Sequence, residues 1–223
     1  MSNYHDHCRH DVLALLPTHN GRVLDVGCGS GATGAELLAT GRASAVDGIE
    51  LSPTAAERAG ARYGTVVVGP LETVDRNALA DDYDTIMCND VLEHLADPWS
   101  VLRSLVDHHL RPGGTVVVSV PNVQCAEVVV PLLAGRFDYA DDGVLDRTHL
   151  RFFTRRTARA LVASAGLTVD AEATSRIGAG RGSGLRLVGR LAGPFGVRQL
   201  LLTGADRRPA MDRSEVSGPL PVS

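Results

Sequence analysis

The stretch "VLDVGCGSGATG", residues 23–34, decides the fold. A short apolar run, Val23 to Val26, ends on glycines at alternate positions, Gly27, Gly29 and Gly31. The next segment, "SGATGAELLATG" (30–41), has helical spacing and closes on Gly41. A strand that turns sharply into a helix favours glycine, which accepts positive φ and lets a ligand approach the backbone. Free N–H groups at the start of the helix can face a polar ligand. The pattern GxGxG is weak alone, because tight turns use glycine too. Two acids sharpen it. Asp25 stands at the strand end, where a carboxylate can hold the loop or a cationic ligand group. Glu50 ends the following apolar run, near the roughly 20-residue spacing at which an acid grips ribose hydroxyls.

The register Gly29–Gly31–Gly34 also satisfies GxGxxG, the pattern of a dinucleotide site. It begins late after the strand, and Asp25 beside a pyrophosphate would be repulsive. A ligand with an adenosine ribose and no phosphates fits better.

Working outward, apolar strands alternate with helices. The helical stretches are 10–17, 30–41, 52–64, 97–114 and 155–166. The strands are 21–27, 43–50, 65–69, 83–89, 115–121, 167–173 and 197–204. Ser52 followed by Pro53 is a helix start. This alternation predicts an α/β fold: a Rossmann-like, doubly wound, mostly parallel seven-stranded sheet with helices on both faces. Residues 122–150 interrupt the rhythm as an insertion, and "LRLVGRLAG" (185–193) can form a short helix. One domain is expected over 1–204, with 205–223 a disordered tail.

Composition narrows the function. The chain has 223 residues and a formal net charge of −4, so no overall bias toward nucleic acid or an anionic membrane exists. The segment "MSNYHDHCRHD" lacks the apolar core of a signal peptide, and no run reaches the roughly 18 apolar residues of a membrane span. A cytoplasmic location without membrane contact is the expectation. Cys8, Cys28, Cys88 and Cys125 form no CxxC pair, which speaks against zinc-finger or disulfide frameworks. All 22 basic residues are arginine, which excludes lysine Schiff-base and lysine general-base chemistry. The histidines at 5, 7 and 10 form a tract without an acidic partner pattern, and no metal is assigned.

Asp25-Val26-Gly27-Cys28-Gly29-Ser30-Gly31 resembles the first motif of class I S-adenosylmethionine-dependent methyltransferases. "GIELSP" (48–53) resembles their ribose-binding segment, "YDTIMCNDVLEHLADP" (83–98) their fourth-strand motif and "LRPGGTVVVSVPN" (110–122) their fifth-strand motif. "GVLDRTHLRFFT" (143–154) is similar to a motif of bacterial methyltransferases from glycan and secondary-metabolite pathways. The resemblance spans roughly residues 4 to 204. It implies S-adenosyl-L-methionine as cofactor, contacted by Asp25, Gly27, Cys28, Gly29 and Gly31. Within that set, Gly27 and Gly29 would line the aminocarboxypropyl arm and ribose. Glu50 would accept from the ribose hydroxyls, Leu51 would pack near adenine, and Asn89 and Asp90 would lie beside the methionine portion. Pro70 stands where many relatives have an acid close to the adenine amino group, so that side-chain contact is not expected here, and the backbone N–H of Leu71 is expected to donate to the adenine ring.

The resemblance also places the acceptor under the 122–150 insertion and the segment after it. Tyr4, Asn122, Phe137, Tyr139, Asp146, Arg147 and His149 are expected to contact it, with Phe137 and Tyr139 as a wall and the N-terminal 4–10 as a lid. Methyl transfer needs alignment and sometimes a base, and histidine suits that near neutral pH. His149 is the first catalytic candidate, set against a role in holding the loop. His94, after Glu93, is the second, set against a packing role. Asp146 is expected to orient His149 or to pair with Arg147 or Arg151. Phe152 and Phe153 read as core anchors. The function is then transfer of a methyl group to an O or N atom of a small, natural-product or sugar-like acceptor, with a homodimer left open. Arginines 136, 147, 151, 155, 156, 159, 176, 181, 186 and 190 keep an RNA methyltransferase as the alternative, and a non-catalytic cofactor-binding partner is a third.

Overall fold

The computed structural model describes residues 8–176 and 197–206. Tyr4, the short helix expected at 185–193 and most of the expected tail lie outside the described residues. The elements run α1 (His10–Leu13), β1 (Arg22–Val26), α2 (Ala32–Ala39), β2 (Ala45–Glu50), α3 (Pro53–Gly60), β3 (Val66–Val68), β4 (Tyr83–Asn89), a 3-10 turn (Leu92–His94), α4 (Pro98–His109), β5 (Leu110–Pro121), α5 (Ala126–Leu133), α6 (Arg155–Ser164), β6 (Leu167–Arg176) and β7 (Val197–Asp206).

The strands form one seven-stranded sheet in the order β3-β2-β1-β4-β5-β7-β6. The pairs among β1 to β5 are parallel, and β7 is antiparallel to both β5 and β6. Alternate residues of the central strands face two cores. Leu24, Val26, Ile86, Cys88, Val116, Val118 and Val120 pack with α4 and α6. Val23, Met87 and Val117 pack on the other face with α1, α2 and Tyr63. Strands buried on both faces are the reason the sequence shows continuous apolar runs there. The chain reverses winding direction at β1, between β2 and β4, which opens a crevice at the carboxyl ends of the strands.

Three local starts are set by side chains. Ser52 Oγ accepts from Ala55 N at 3.3 Å and Pro53 follows. Asp97 Oδ1 accepts from Ser100 N at 3.1 Å, again ahead of a proline. Thr154 and Thr157 form a reciprocal capping box at α6.

Several boundaries differ from the expectation. The fourth helix stops at His109 rather than 114, because Leu110 already pairs with Tyr83 of β4. The register then jumps to Thr85 opposite Thr115, and Pro112-Gly113-Gly114 fills the irregularity, with Gly113 at φ 76°. The insertion contains α5, which no expectation included. Three consecutive valines and Pro131 give no helical signal, yet Val128 is buried against Cys125 and Val144. β7 runs two residues past the expected end, so Ala205 and Asp206 belong to the sheet rather than to a tail.

Candidate functional site

The glycine loop between β1 and α2 lies at the crevice. Gly27, Gly29 and Gly31 have φ of 70°, 57° and 80°, a region that L side chains rarely adopt. The N–H groups of Gly27 and Cys28 donate to Ile49 O, at 2.9 and 3.1 Å, which ties the loop to β2. Glu50 is buried and engages the same loop. Its Oε2 accepts from Gly29 N and its Oε1 from Ser52 N, each at 2.8 Å. A carboxylate has about four lone-pair sites, so each oxygen retains acceptor capacity for a ligand hydroxyl.

Asp25 takes the first of the two roles open to it. Its Oδ2 accepts from Tyr63 Oη at 2.7 Å, and that same hydroxyl accepts from Gly34 N at 3.0 Å. Asp25 thus fastens β1 to Tyr63, just past α3, and through it to the first turn of α2. Burial pushes its carboxyl up to about 7, and the charge of Glu50 adds to the rise. Cys28 is buried beside Gly48, and burial pushes its thiol well up, away from the thiolate form.

At the end of β4, Asn89 Oδ1 is buried and has no hydrogen-bond partner among the described residues. Asp90 has φ 53°, an uncommon value for a non-glycine residue, and its N–H donates to Ser119 O at 3.0 Å. Its carboxylate accepts from Ser119 Oγ at 2.9 Å, from Gln199 Nε2 and from Arg9. Burial raises the Asp90 carboxyl, and the Arg9 guanidinium opposes that rise. Arg9 also donates to Ser119 Oγ at 2.9 Å, and its backbone N–H reaches Thr33 Oγ1 at 3.1 Å. The N-terminal segment therefore crosses from α2 to the end of β4. Leu51 is exposed at the rim, whereas Leu71 is buried in the core under a turn closed on Pro70 O.

The segment 143–151 folds over the 3-10 turn. Leu150 N and Arg151 N both donate to Glu93 O, at 2.8 and 3.0 Å. His149 is buried, its Nδ1 lies 3.0 Å from Val144 O, and its ring meets that of His94 edge-on with centroids 4.8 Å apart. Asp146 neither orients His149 through its carboxylate nor pairs with Arg147 or Arg151. Its Oδ1 instead accepts from Thr148 N and Thr148 Oγ1, at 2.8 and 2.7 Å. Those hydrogen bonds hold its carboxyl below the usual range against the opposing effect of burial. Arg147 pairs with Asp141 at the surface, and Arg151 donates to Ala96 O and lies over Trp99. Asn122 is buried and its Oδ1 accepts from Gln124 N at 3.1 Å, which forms the turn into α5.

Glu93 is buried with both carboxylate oxygens unpartnered among the described residues, and burial beside Asp90 pushes its carboxyl well up. Burial and the neighbouring His149 ring lower His94. Phe137 and Tyr139 stand together, with centroids 5.6 Å apart. Phe152 joins them at 5.5 Å from Phe137, so it belongs to that wall, while Phe153 is the buried anchor. Among the described arginines of the basic face, Arg136 pairs with Asp138, Arg147 with Asp141, and Arg155 and Arg159 share Glu172.

Sequence reasoning missed Arg9, Tyr63, Ser119, Gln199 and the part played by Phe152. Only Phe152 had a signal, its place beside His149. The others come from distant segments and carry no local pattern.

A family described as "Methyltransferase domain" matches residues 2–172. The chain is 34% identical over 146 residues to a ubiquinone biosynthesis O-methyltransferase of Xylella fastidiosa, covering 58% of each chain. A protein of the same description from Aeromonas salmonicida is 35% identical over 106 residues, 45% of this chain and 43% of its own. The chain thus spans about half the length of the curated relatives it matches. Among solved structures, a putative methyltransferase in complex with the Haloferax volcanii Trm112 activator superposes with a TM-score of 0.65 at 20% identity, covering 92% of both chains. An S-adenosylmethionine-dependent methyltransferase from Mesorhizobium loti gives 0.61 at 22%, covering 88% of this chain and 96% of that one. At these identities the structures speak for the fold alone. No helix among the described residues is long and apolar enough to cross a membrane.

Proposed function

The chain belongs to the methyltransferase-domain family, and on that premise we propose that it is an S-adenosylmethionine-dependent methyltransferase acting on an oxygen or nitrogen of a small, partly apolar acceptor. The single observation that carries this assignment is Glu50, fixed by Gly29 N and Ser52 N at the mouth of the glycine loop with lone pairs to spare.

The residues present fit the cofactor. Glu50 holds the ribose hydroxyls. The loop Gly27–Gly31 admits the ligand close to its backbone, and Leu51 covers the adenine side with Leu71 N–H beneath. Asn89 Oδ1, an acceptor without a partner among the described residues, suits the ammonium of the methionine portion, with the Asp90 carboxylate beside it. When bound, the cofactor supplies a methyl group on a sulfonium, a carbon already activated for in-line displacement.

The protein's own task is then alignment and proton handling. Phe137, Tyr139 and Phe152 form an aromatic wall for the acceptor skeleton. His94 and His149 form the polar corner of the acceptor side, where its reacting hydroxyl or amine is handled. Asp146 acts one step back, by fixing Thr148. The O-methyl chemistry named for the curated relatives supports oxygen as the atom methylated. The pairing of Arg136, Arg147, Arg155 and Arg159 with neighbouring acids supports a small acceptor over RNA, and a cytoplasmic enzyme working without membrane contact is part of the same proposal.

Calorimetry with S-adenosylhomocysteine and turnover followed by its release test this. Binding of the cofactor product is expected, and His149→Gln is expected to lower turnover at least tenfold with cofactor affinity unchanged. A chain that binds a nicotinamide dinucleotide in place of S-adenosylhomocysteine would overturn the assignment.

A further inference from the structure

Three side chains of ligand type meet where the 3-10 turn touches the segment ending at His149. One ligand atom from each of Glu93, His94 and His149 lies within 4.8 Å of the other two. Glu93 is 1% exposed, and neither of its carboxylate oxygens has a hydrogen-bond partner among the described residues. A carboxyl group shut away from water without a partner needs an explanation. Its backbone does not supply one, since Glu93 O already pins the turn to Leu150 and Arg151.

Both imidazoles are oriented from behind. His149 Nδ1 faces Val144 O at 3.0 Å, so that nitrogen donates. His94 Nδ1 faces Thr148 O at 3.3 Å and Thr148 Oγ1 at 3.1 Å. The Thr148 hydroxyl gives its proton to Asp146, so it accepts from His94. In each ring Nδ1 carries the proton and Nε2 keeps its lone pair. A carbonyl or hydroxyl behind one nitrogen and a bare second nitrogen is the arrangement metal-ligating histidines adopt.

We propose that Glu93, His94 and His149 bind a first-row divalent transition cation. One carboxylate with two imidazoles is a donor set for zinc, iron or manganese that leaves coordination positions open, whereas calcium and magnesium favour oxygen-only shells. Ligand atoms about 2.0–2.1 Å from a tetrahedral ion lie about 3.3 Å apart. The observed spacing of at most 4.8 Å therefore requires a closure of no more than about 1.5 Å. The segment "DRTH" (146–149) gains a use for three of its residues: His149 ligates, Thr148 orients His94, and Asp146 fixes Thr148. The open positions supply Lewis acidity to an acceptor oxygen, holding it and lowering its hydroxyl pKa. That last step rests on the proposed acceptor side; the binding itself does not.

The test uses the full-length, tag-free protein, stripped with chelator and titrated with Co2+ while visible absorption and calorimetry are recorded. One equivalent is expected to bind, with displacement by Zn2+ and not by equimolar Mg2+. Glu93→Gln and His149→Ala are each expected to weaken binding at least tenfold, and His149→Gln gives the same readout should either fail to fold. No binding at millimolar Co2+, or equal binding by wild type and variants, overturns the proposal; the second result would assign the ion to the histidines near the N-terminus. S-adenosylhomocysteine affinity, measured on the same samples, judges the enzymatic assignment separately. A cation bound without cofactor refutes that assignment alone, and cofactor bound without a cation refutes this one alone.

Discussion

Replacing Tyr63 by phenylalanine removes one oxygen atom and two hydrogen bonds. The hydroxyl donates to Asp25 Oδ2 at 2.7 Å and accepts from Gly34 N at 3.0 Å, and all three groups are buried. The variant leaves a carboxyl and an N–H without partners. At about 1–3 kcal/mol for each of the two unsatisfied buried groups, the expected loss is about 2–6 kcal/mol. The loss depends on pH. Burial raises Asp25 from 3.8 to about 7 in the folded protein, so the folded state holds this proton more tightly than the unfolded chain. Its contribution to stability is therefore full at low pH and declines as pH rises toward 7. The Tyr63 hydroxyl favours the ionised carboxylate, and its removal pushes the Asp25 pKa higher still. The gap between wild type and Tyr63→Phe must then widen with pH, from about 1–2 kcal/mol near pH 5 to the full value near pH 8.5. Urea unfolding followed by circular dichroism at both pH values measures it. A loss below about 0.5 kcal/mol at both, or a gap that narrows with rising pH, would refute the linkage of β1, α2 and Tyr63 through Asp25.

Glu50→Ala withdraws the acceptor from Gly29 N and Ser52 N together, and is expected to weaken S-adenosylhomocysteine binding at least tenfold by calorimetry. Gly27→Ala places a Cβ 3.1 Å from that of Val91 at φ 70°, and is expected to cost about 1–2 kcal/mol or more in thermal or urea unfolding.

The sheet was legible because its physics is local. Parallel strands covered on both faces must be apolar throughout, and "VLDV", "TVVV" and "YDTIMC" say so without a partner. The glycine loop was legible for the same reason, since positive φ at alternate positions leaves few other residues. Glu50 followed from its spacing along the chain. α5 was not legible: its valines and Pro131 favour other structures, and burial under the insertion decides the matter.

The chemistry near the acceptor depended on tertiary structure almost entirely. By itself the sequence named His94 and His149, and it had the α/β sheet, the cofactor loop and the family resemblance. It could not show that two histidines 55 positions apart stack edge-on near Glu93, whose carboxylate has no partner among the described residues, that Asp146 serves Thr148 rather than His149, or that Arg9 reaches Asp90. Periodicity and spacing report a residue's own strand, helix or turn. Which charges and ring nitrogens face one another is set by how separate segments pack, and the chain order carries no trace of that.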